Sequence, residues 1–382
     1  MAPLRTNLRK PEVPGSSPGG PTIYWCEGMR LWIDLVNLPH VRLFLRLLRK
    51  YRKEIGDILI SCRRLDALPE LINLFLSDYS DRIRVVGSHG ISLVEKLSKH
   101  LERVSLLAKM VVEFSPNVAS SKASPELARV AFGLGIPSVN LNDNDLSFHV
   151  SKLIFPLSQT VIVPEVFPEE VLVTTGALDR VRRFKGVTEV AHVLDFLEVP
   201  HKAEIEKFEE PYIVARPAPV GASYLYNKAS SFSFEKALLI LSKRIPNLKI
   251  YLFPRGRELL LLSEELRDRI VLVKDPRDSL ALMSGAIAFI GASGTMTREA
   301  ALLGVPSISM FPSDKEPCVT QLLIDEGLIV KLKDPEEVVN LVLQYMKDES
   351  IREDLKRKAR AFLASCEDPA EVLWEEIRRL SS

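Results

Sequence analysis

The chain has 382 residues, 46% of them hydrophobic and 26% charged, which is enough apolar material for two ordinary cores. A formal net charge of +1 provides no global basic field of the kind that holds nucleic acid, and no apolar run reaches the roughly 18 residues that a membrane span needs. Cys26, Cys62, Cys318 and Cys366 are scattered without C-x-x-C spacing, which speaks against a metal site or a disulfide framework and suits a reducing, cytoplasmic setting.

Residues 1–28 are rich in Pro, Gly and Ser without periodicity. They are expected to be a disordered extension or a mis-assigned start ahead of Met29. MRLWIDL (Met29–Leu35) reads as the first buried strand of an N-terminal α/β domain over 29–180. Asn37-Leu-Pro39-His40 follows, and Pro39 suits the first turn of a helix. His40 then stands at a helix start above a strand's carboxyl end, where ligands bind in open α/β sheets. The positive helix end there favours a neutral imidazole. Arg42, Arg46, Arg49, Lys50, Arg52 and Lys53 make this helix basic. Such a face suits either plain solvation or peripheral contact with an anionic membrane.

Strands are expected at Ile58–Cys62 and Arg82–Val86, with a helix at Leu68–Leu76 between them. His89 follows the second of these, between Gly87 and Gly90, and is a cleft candidate. A long helix over Leu93–Phe114 is expected to bury Leu93, Leu97, Leu101, Val104, Leu107 and Val111, with His100 structural. After a strand at Val118–Ser121, Ser124-Pro-Glu126 is ordinary helix-start chemistry. Gly133-Leu-Gly-Ile-Pro137 leads into the strand Ser138–Leu141 and then into the polar run Asn142–Asp145. Asp143 is the candidate base of that run, and His149 a candidate partner for Asp145. A strand at Thr160–Val163 follows, and residues 181–210 are read as the crossing between domains.

The second domain, over 211–345, opens with the strand Tyr212–Ala215. Arg216 ends it, and Arg255 follows the strand Leu248–Phe253; both are suited to forking onto a diphosphate. After a strand at Ile270–Val273 comes the most informative stretch. Ile287–Ile290 is a strand, Gly291-Ala-Ser-Gly294 a tight turn, Thr295–Leu303 a helix closed by Gly304, and Val305–Phe311 the next strand. The turn aims backbone N–H groups and the positive helix end at whatever lies above the sheet, which makes an anion site. Gly291 and Gly294 let a phosphate approach, and Ser293 and Thr295 add hydroxyls. Glu299, one turn on, is placed either to accept two ribose hydroxyls or simply to be solvated. Leu303-Gly-Val-Pro306 echoes the earlier Gly-Ile-Pro137, which suggests two similar halves. Helices are expected at Pro335–Lys347 and Arg352–Leu380.

GASGTMTREAALLGVPSISM from Gly291, with its small turn, helix Glu and G-x-P, resembles the C-terminal nucleotide-sugar signature of GT-B fold proteins. UDP-N-acetylglucosamine 2-epimerase and the murein glycosyltransferase MurG carry such a signature. WIDLVNLPHV from Trp32, SPELARVAFGLGIPSVNLND from Ser124 and YIVARPAPVGASY from Tyr212 extend the likeness. Taken together, the chain resembles a prokaryotic family, domain-of-unknown-function family 354. The resemblance implies a GT-B-like α/β fold: two Rossmann-like domains with parallel sheets facing a central cleft, and helices over 346–382 returning to the first domain. It implies a UDP-type nucleotide sugar held through Ser293, Gly294, Thr295, Glu299, Arg216 and Arg255, with Asn37 and Glu316 near the sugar. His40, Asp143 and His89 are the candidate catalytic groups, and a lipid or glycan is the implied acceptor. An epimerase, which needs no acceptor, is the alternative; a non-catalytic nucleotide-sugar scaffold is the second. No G-x-G-x-x-G follows an expected strand and neither a P-loop nor a G-x-S-x-G is present, so no dinucleotide or other cofactor is expected. Gln is scarce beside Lys, Arg and Glu, as in thermophiles.

Overall fold

Short runs of Val, Ile and Leu flanked by Gly and Pro form strands buried on both faces, and such strands assemble in parallel with helices covering them. The structure, a computed structural model, describes residues 28–65, 68–90, 92–199, 210–218, 229–254, 266, 269–273 and 278–381. In the first half the strands are β1 (Met29–Leu35), β2 (Ile55–Arg64), β3 (Ile83–Ser88), β4 (Val118–Lys122), β5 (Ser138–Leu141), β6 (Thr160–Pro164) and β7 (Val181–Phe184). In the second they are β8 (Tyr212–Arg216), β9 (Lys249–Leu252), β10 (Ile270–Leu272), β11 (Phe289–Gly291), β12 (Ser307–Ser309) and β13 (Ile329–Lys331). They make two sheets, ordered β3-β2-β1-β4-β5-β6-β7 and β10-β9-β8-β11-β12-β13. Every pairing in both is parallel. The two orders share one doubly wound pattern, whose direction reverses between β1 and β4 and again between β8 and β11. In such sheets the crevice at the carboxyl ends of those strands is where ligands bind.

Two departures from the expected elements have physical causes. β7 belongs to the first sheet, which therefore runs to Phe184, into the stretch read as a crossing. The helix Leu93–Phe114 buries only Arg103, Leu107 and Val111, while Leu93, Leu97 and Leu101 are 80%, 61% and 60% exposed. Its second half packs on β3 and on the helix Pro125–Gly133. Its first half runs along the rim of the cleft instead, where Leu93 and Leu97 form part of the wall.

The halves are joined twice. The helix Glu189–Glu198 sets Ala191 into the first core, while Val190 and Val193 enter the second. The last helix, Pro369–Ser381, places Leu373, Trp374 and Ile377 in the core built on β1 and the helix Leu38–Tyr51. Trp374 stacks on Tyr51 with ring centroids 4.9 Å apart. Among the described residues no helix is long and apolar enough to cross a membrane.

The basic helix Leu38–Tyr51 is occupied by protein partners. Arg46 bonds Glu198 at 2.9 and 3.0 Å and Asp368 at 2.8 Å. Arg49 pairs with Asp195, Lys50 with Asp368 and Glu371, and Arg42 with Asp278. Arg42, Arg46, Arg49 and Lys50 are thus engaged by carboxylates of the crossing helix, of the C-terminal stretch and, through Asp278, of the second half.

Candidate functional site

A cleft of about 1120 Å³ lies between the carboxyl ends of the two sheets, lined from both halves. On the second half's side the chain leaves β11 and enters the helix Gly294–Leu302. Ser293, at φ −142° and ψ 154°, is its N-cap residue, but no side chain caps the helix. The Ser293 Oγ is buried without a partner, and Ser293, Gly294, Thr295 and Met296 all face the cleft. The two glycines are needed by the turn itself. A Cβ on Gly291 would meet the Thr297 hydroxyl and the Phe289 ring, and one on Gly294 the Arg298 guanidinium. Arg216, at the end of β8, reaches the same wall and sets its Nη1 2.8 Å from the Met296 sulfur.

Glu299 is a buried residue rather than a solvated one, 3% exposed, and its Oε1 lies 2.8 Å from Nδ1 of His192. Its neighbour Arg298 donates to Glu189 Oε1 at 2.7 Å and to Thr320 Oγ1 at 2.9 Å. Glu189 and His192 are three apart, so they share one face of the crossing helix. That face grips Arg298 and Glu299 on the helix behind the anion site. Glu299 retains a place on the cleft wall.

On the first half's side, His40 is 4% exposed with its Nδ1 buried and unpartnered. Burial first, then the Lys122 and Arg63 cations, hold its pKa well below the ordinary imidazole value. The neutral form expected from the helix end is therefore present for stronger reasons than the dipole. Asp143 accepts from Lys122 Nζ at 2.8 Å. Burial alone would raise this carboxyl, but Lys122 and Arg298 outweigh it and keep it well below the usual carboxylate range. Asn37 Oδ1 accepts from Arg63 Nη2 at 3.1 Å, and His89 Nδ1 lies 3.2 Å from Arg63 Nη1. Asn37, His40, His89 and Asp143 all line the cleft.

The structure thus brings nine of the eleven site residues named from the sequence to one place, the other two being Glu316 and Arg255. Glu316 is turned back into its own domain, where its Oε1 accepts from Ser309 Oγ at 2.8 Å and faces Lys331 Nζ at 3.4 Å. Arg255 lies outside the described residues. His149 lines the cleft as an exposed side chain, while Asp145 accepts the backbone N–H of Cys318 from the second half at 2.9 Å. The sequence reading missed Arg63, Lys122, Glu189, His192 and Arg298. Lys122 and Arg63 were findable as charges at strand ends; Glu189 and His192 gave no local signal, because their partners lie 109 and 107 residues away. Among the described residues no group of three or more His, Cys, Asp or Glu is placed to hold a metal ion.

The fold has clear relatives. It is similar to UDP-N-acetylglucosamine 2-epimerase of Neisseria meningitidis bound to its UDP-sugar, at 15% identity, with 92% of this chain and 100% of that one covered and a TM-score of 0.61. It is similar also to the glycotransferase of kitacinnamycin, at 14% identity, 93% and 100% coverage and a TM-score of 0.60. Both are two-domain GT-B-like proteins, the fold found here. In sequence, the protein MJ0665 of Methanocaldococcus jannaschii is 32% identical over 354 residues, covering 91% of this chain and 97% of its own. The model of the protein family of unknown function DUF354 matches residues 29–380, and the chain belongs to that family.

Proposed function

We propose that the chain binds a UDP-type nucleotide sugar in this cleft and transfers the sugar to an acceptor hydroxyl. The observation that carries the reading is the Ser293 hydroxyl, buried, unpartnered and facing the cleft at the start of a helix that no side chain caps. A diphosphate would accept hydrogen bonds from this hydroxyl and from the first helical N–H groups, beside the positive helix end and Arg216. Donors fixed there also stabilise the diphosphate as it departs, which is the larger part of such catalysis. The Glu299 oxygen not engaged by His192 is the acceptor for ribose hydroxyls.

Epimerisation would require a group in the cleft to remove a proton from a sugar carbon and return it. Asp143, held ionised by Lys122, is a weak base for that step, and epimerisation stands as the second reading. Thermal unfolding against a panel of nucleotides and nucleotide sugars tests the reading. A UDP-sugar at about a hundred times its dissociation constant adds roughly 2.7 kcal/mol of stability, and Ser293→Ala and Glu299→Ala each cut that gain. If no nucleotide moves the midpoint, the reading fails. If a nucleotide sugar binds and is never turned over, the scaffold reading takes its place.

A further inference from the structure

The first domain's wall of the cleft carries a set of charges that the nucleotide side leaves unused. His100, on the helix Leu93–Phe114, faces the cleft with its side chain 27% exposed. Its Nδ1 lies 3.3 Å from Oε1 of Glu126, which is 5% exposed. The other Glu126 oxygen is backed by Arg103 Nη1 at 3.6 Å and by the Ser124 hydroxyl at 3.4 Å. Arg103 is 1% exposed and gripped by both oxygens of the fully buried Asp34, at 3.0 and 2.5 Å. Asp34 in turn accepts from Ser61 Oγ and Ser124 Oγ, each at 2.6 Å. Burial would raise the Glu126 carboxyl, but the His100 hydrogen bond and Arg103 overcome it and bring its pKa down to about 2. Buried charge of this kind is weak evidence for stability, because desolvation consumes most of what the pairing yields. Its visible consequence is one imidazole, turned by its Nδ1 toward Glu126 and presented to the cleft.

Resting on the transferase reading above, we propose that His100 is the general base of this site and Glu126 the positioning residue that orients it. With Nδ1–H donated to Glu126, the His100 Nε2 carries the free lone pair. The acceptor's O–H proton passes to Nε2 as its oxygen bonds to the sugar's anomeric carbon. The bond from that carbon to the diphosphate breaks, and its electron pair leaves on the nucleoside diphosphate. The imidazolium, paired with Glu126, then releases its proton to water. Nucleotide sugar and alcohol thus give glycoside, nucleoside diphosphate and one proton. His40 and Asp143 suit the role less, the first because it is enclosed and the second because Lys122 holds it. Arg103 from the same helix and Arg63 across the wall act on the dyad, and Lys96 and His89 line the same cleft.

The test is release of UDP from UDP-N-acetylglucosamine, with water as acceptor, followed over about pH 5 to 9. The wild-type rate should fall on the acid side. His100→Gln, with His100→Asn as a second variant, should lower it by about 10² to 10⁴-fold and erase that limb, while the thermal shift given by UDP is unchanged. Glu126→Gln should move the limb to lower pH, because a missing carboxylate destabilises the imidazolium. A merely structural pair would change the thermal midpoint and leave the limb in place. The proposal is overturned if the His100 variants keep both rate and limb. It is overturned equally if the wild type binds UDP but releases none, or converts the sugar nucleotide without releasing UDP. Failure to bind UDP at all would instead sink the nucleotide reading on which the proposal rests.

Discussion

Arg103 ranks among the largest fully buried side chains, and its partner Asp34 is wholly enclosed with it. A buried pair contributes little net stability, but removing one member strands the other. Arg103→Met should therefore destabilise the chain by roughly 3 to 5 kcal/mol in urea unfolding, and Asp34→Asn added to it should restore part of that loss. Glu126 gives a pH signature with a definite sign. Its folded pKa of about 2 lies below the value of roughly 4.3 for an unfolded glutamate. The stability it contributes is thus complete above the unfolded value and is lost as pH falls through that window, by roughly 3 kcal/mol in all. Stability measured across that window should fall less steeply in Glu126→Gln than in the wild type; equal slopes would show that Glu126 is not held as described. At this scale the sequence is a partial guide. Asn37, His40, His89, Asp143, Arg216 and Ser293 could be picked out because each ends a strand or begins a helix, positions that face the cleft in a doubly wound sheet. Glu126 and His100 looked ordinary, because a first-turn glutamate and a helix histidine are common and their meeting is a tertiary event.

Elements followed the same logic. Central strands showed as uninterrupted apolar runs, and the Gly-x-Pro signals closed the helices where expected. Gly304, at φ +75°, is the clearest case, since a Cβ there would also meet the Lys356 Cα at 2.6 Å. Gly304→Ala should cost at least about 1 kcal/mol from backbone strain alone, and more from displacing the helix Glu349–Ser365; thermal unfolding reads it directly. β7 and β13 are edge strands that escaped notice, whereas the opposite edges β3 and β10 kept enough Val and Ile to be found. β7 carries Arg182 and Arg183, and β13 is three residues with a lysine. Edge strands keep charges to avoid pairing with other chains, which removes the apolar signal used to find them. The helix Leu93–Phe114 erred the other way. Its leucines have the right period, yet periodicity says nothing about whether a sheet lies beneath the first three turns.

Across the whole molecule, the two halves repeat one topology, and charged pairs reinforce the apolar ties of the crossing and last helices. The crossing helix anchors Arg298 through Glu189 and Glu299 through His192, while Asp145 caps the helix Cys318–Asp325 from the opposite domain. Arg42 reaches across to Asp278 at 2.5 Å, with side chains 9% and 18% exposed. Asp278 also caps its own helix, accepting from Leu280 N at 2.9 Å and Ala281 N at 3.4 Å. Arg42→Ala would therefore leave that cap in place and remove the contact across the cleft mouth, along with the stacking of Arg42 on Phe75 at 4.8 Å. Each domain should keep its stability to within about 1 kcal/mol, as for a partly exposed pair. The cleft should open about the ties that remain, which are the crossing helix, the last helix and the Asp145–Cys318 hydrogen bond. Small-angle scattering should show a larger radius for the variant, and a nucleotide that closes the wild type should bind several-fold more weakly, since part of its binding energy now goes into closing the gap. The same reasoning predicts that added salt weakens nucleotide binding less in the variant than in the wild type, because screening has one cross-domain pair fewer to act on. If the variant's radius and affinity match the wild type, Arg42 is a bystander and the geometry of the cleft is set by the other ties between the halves.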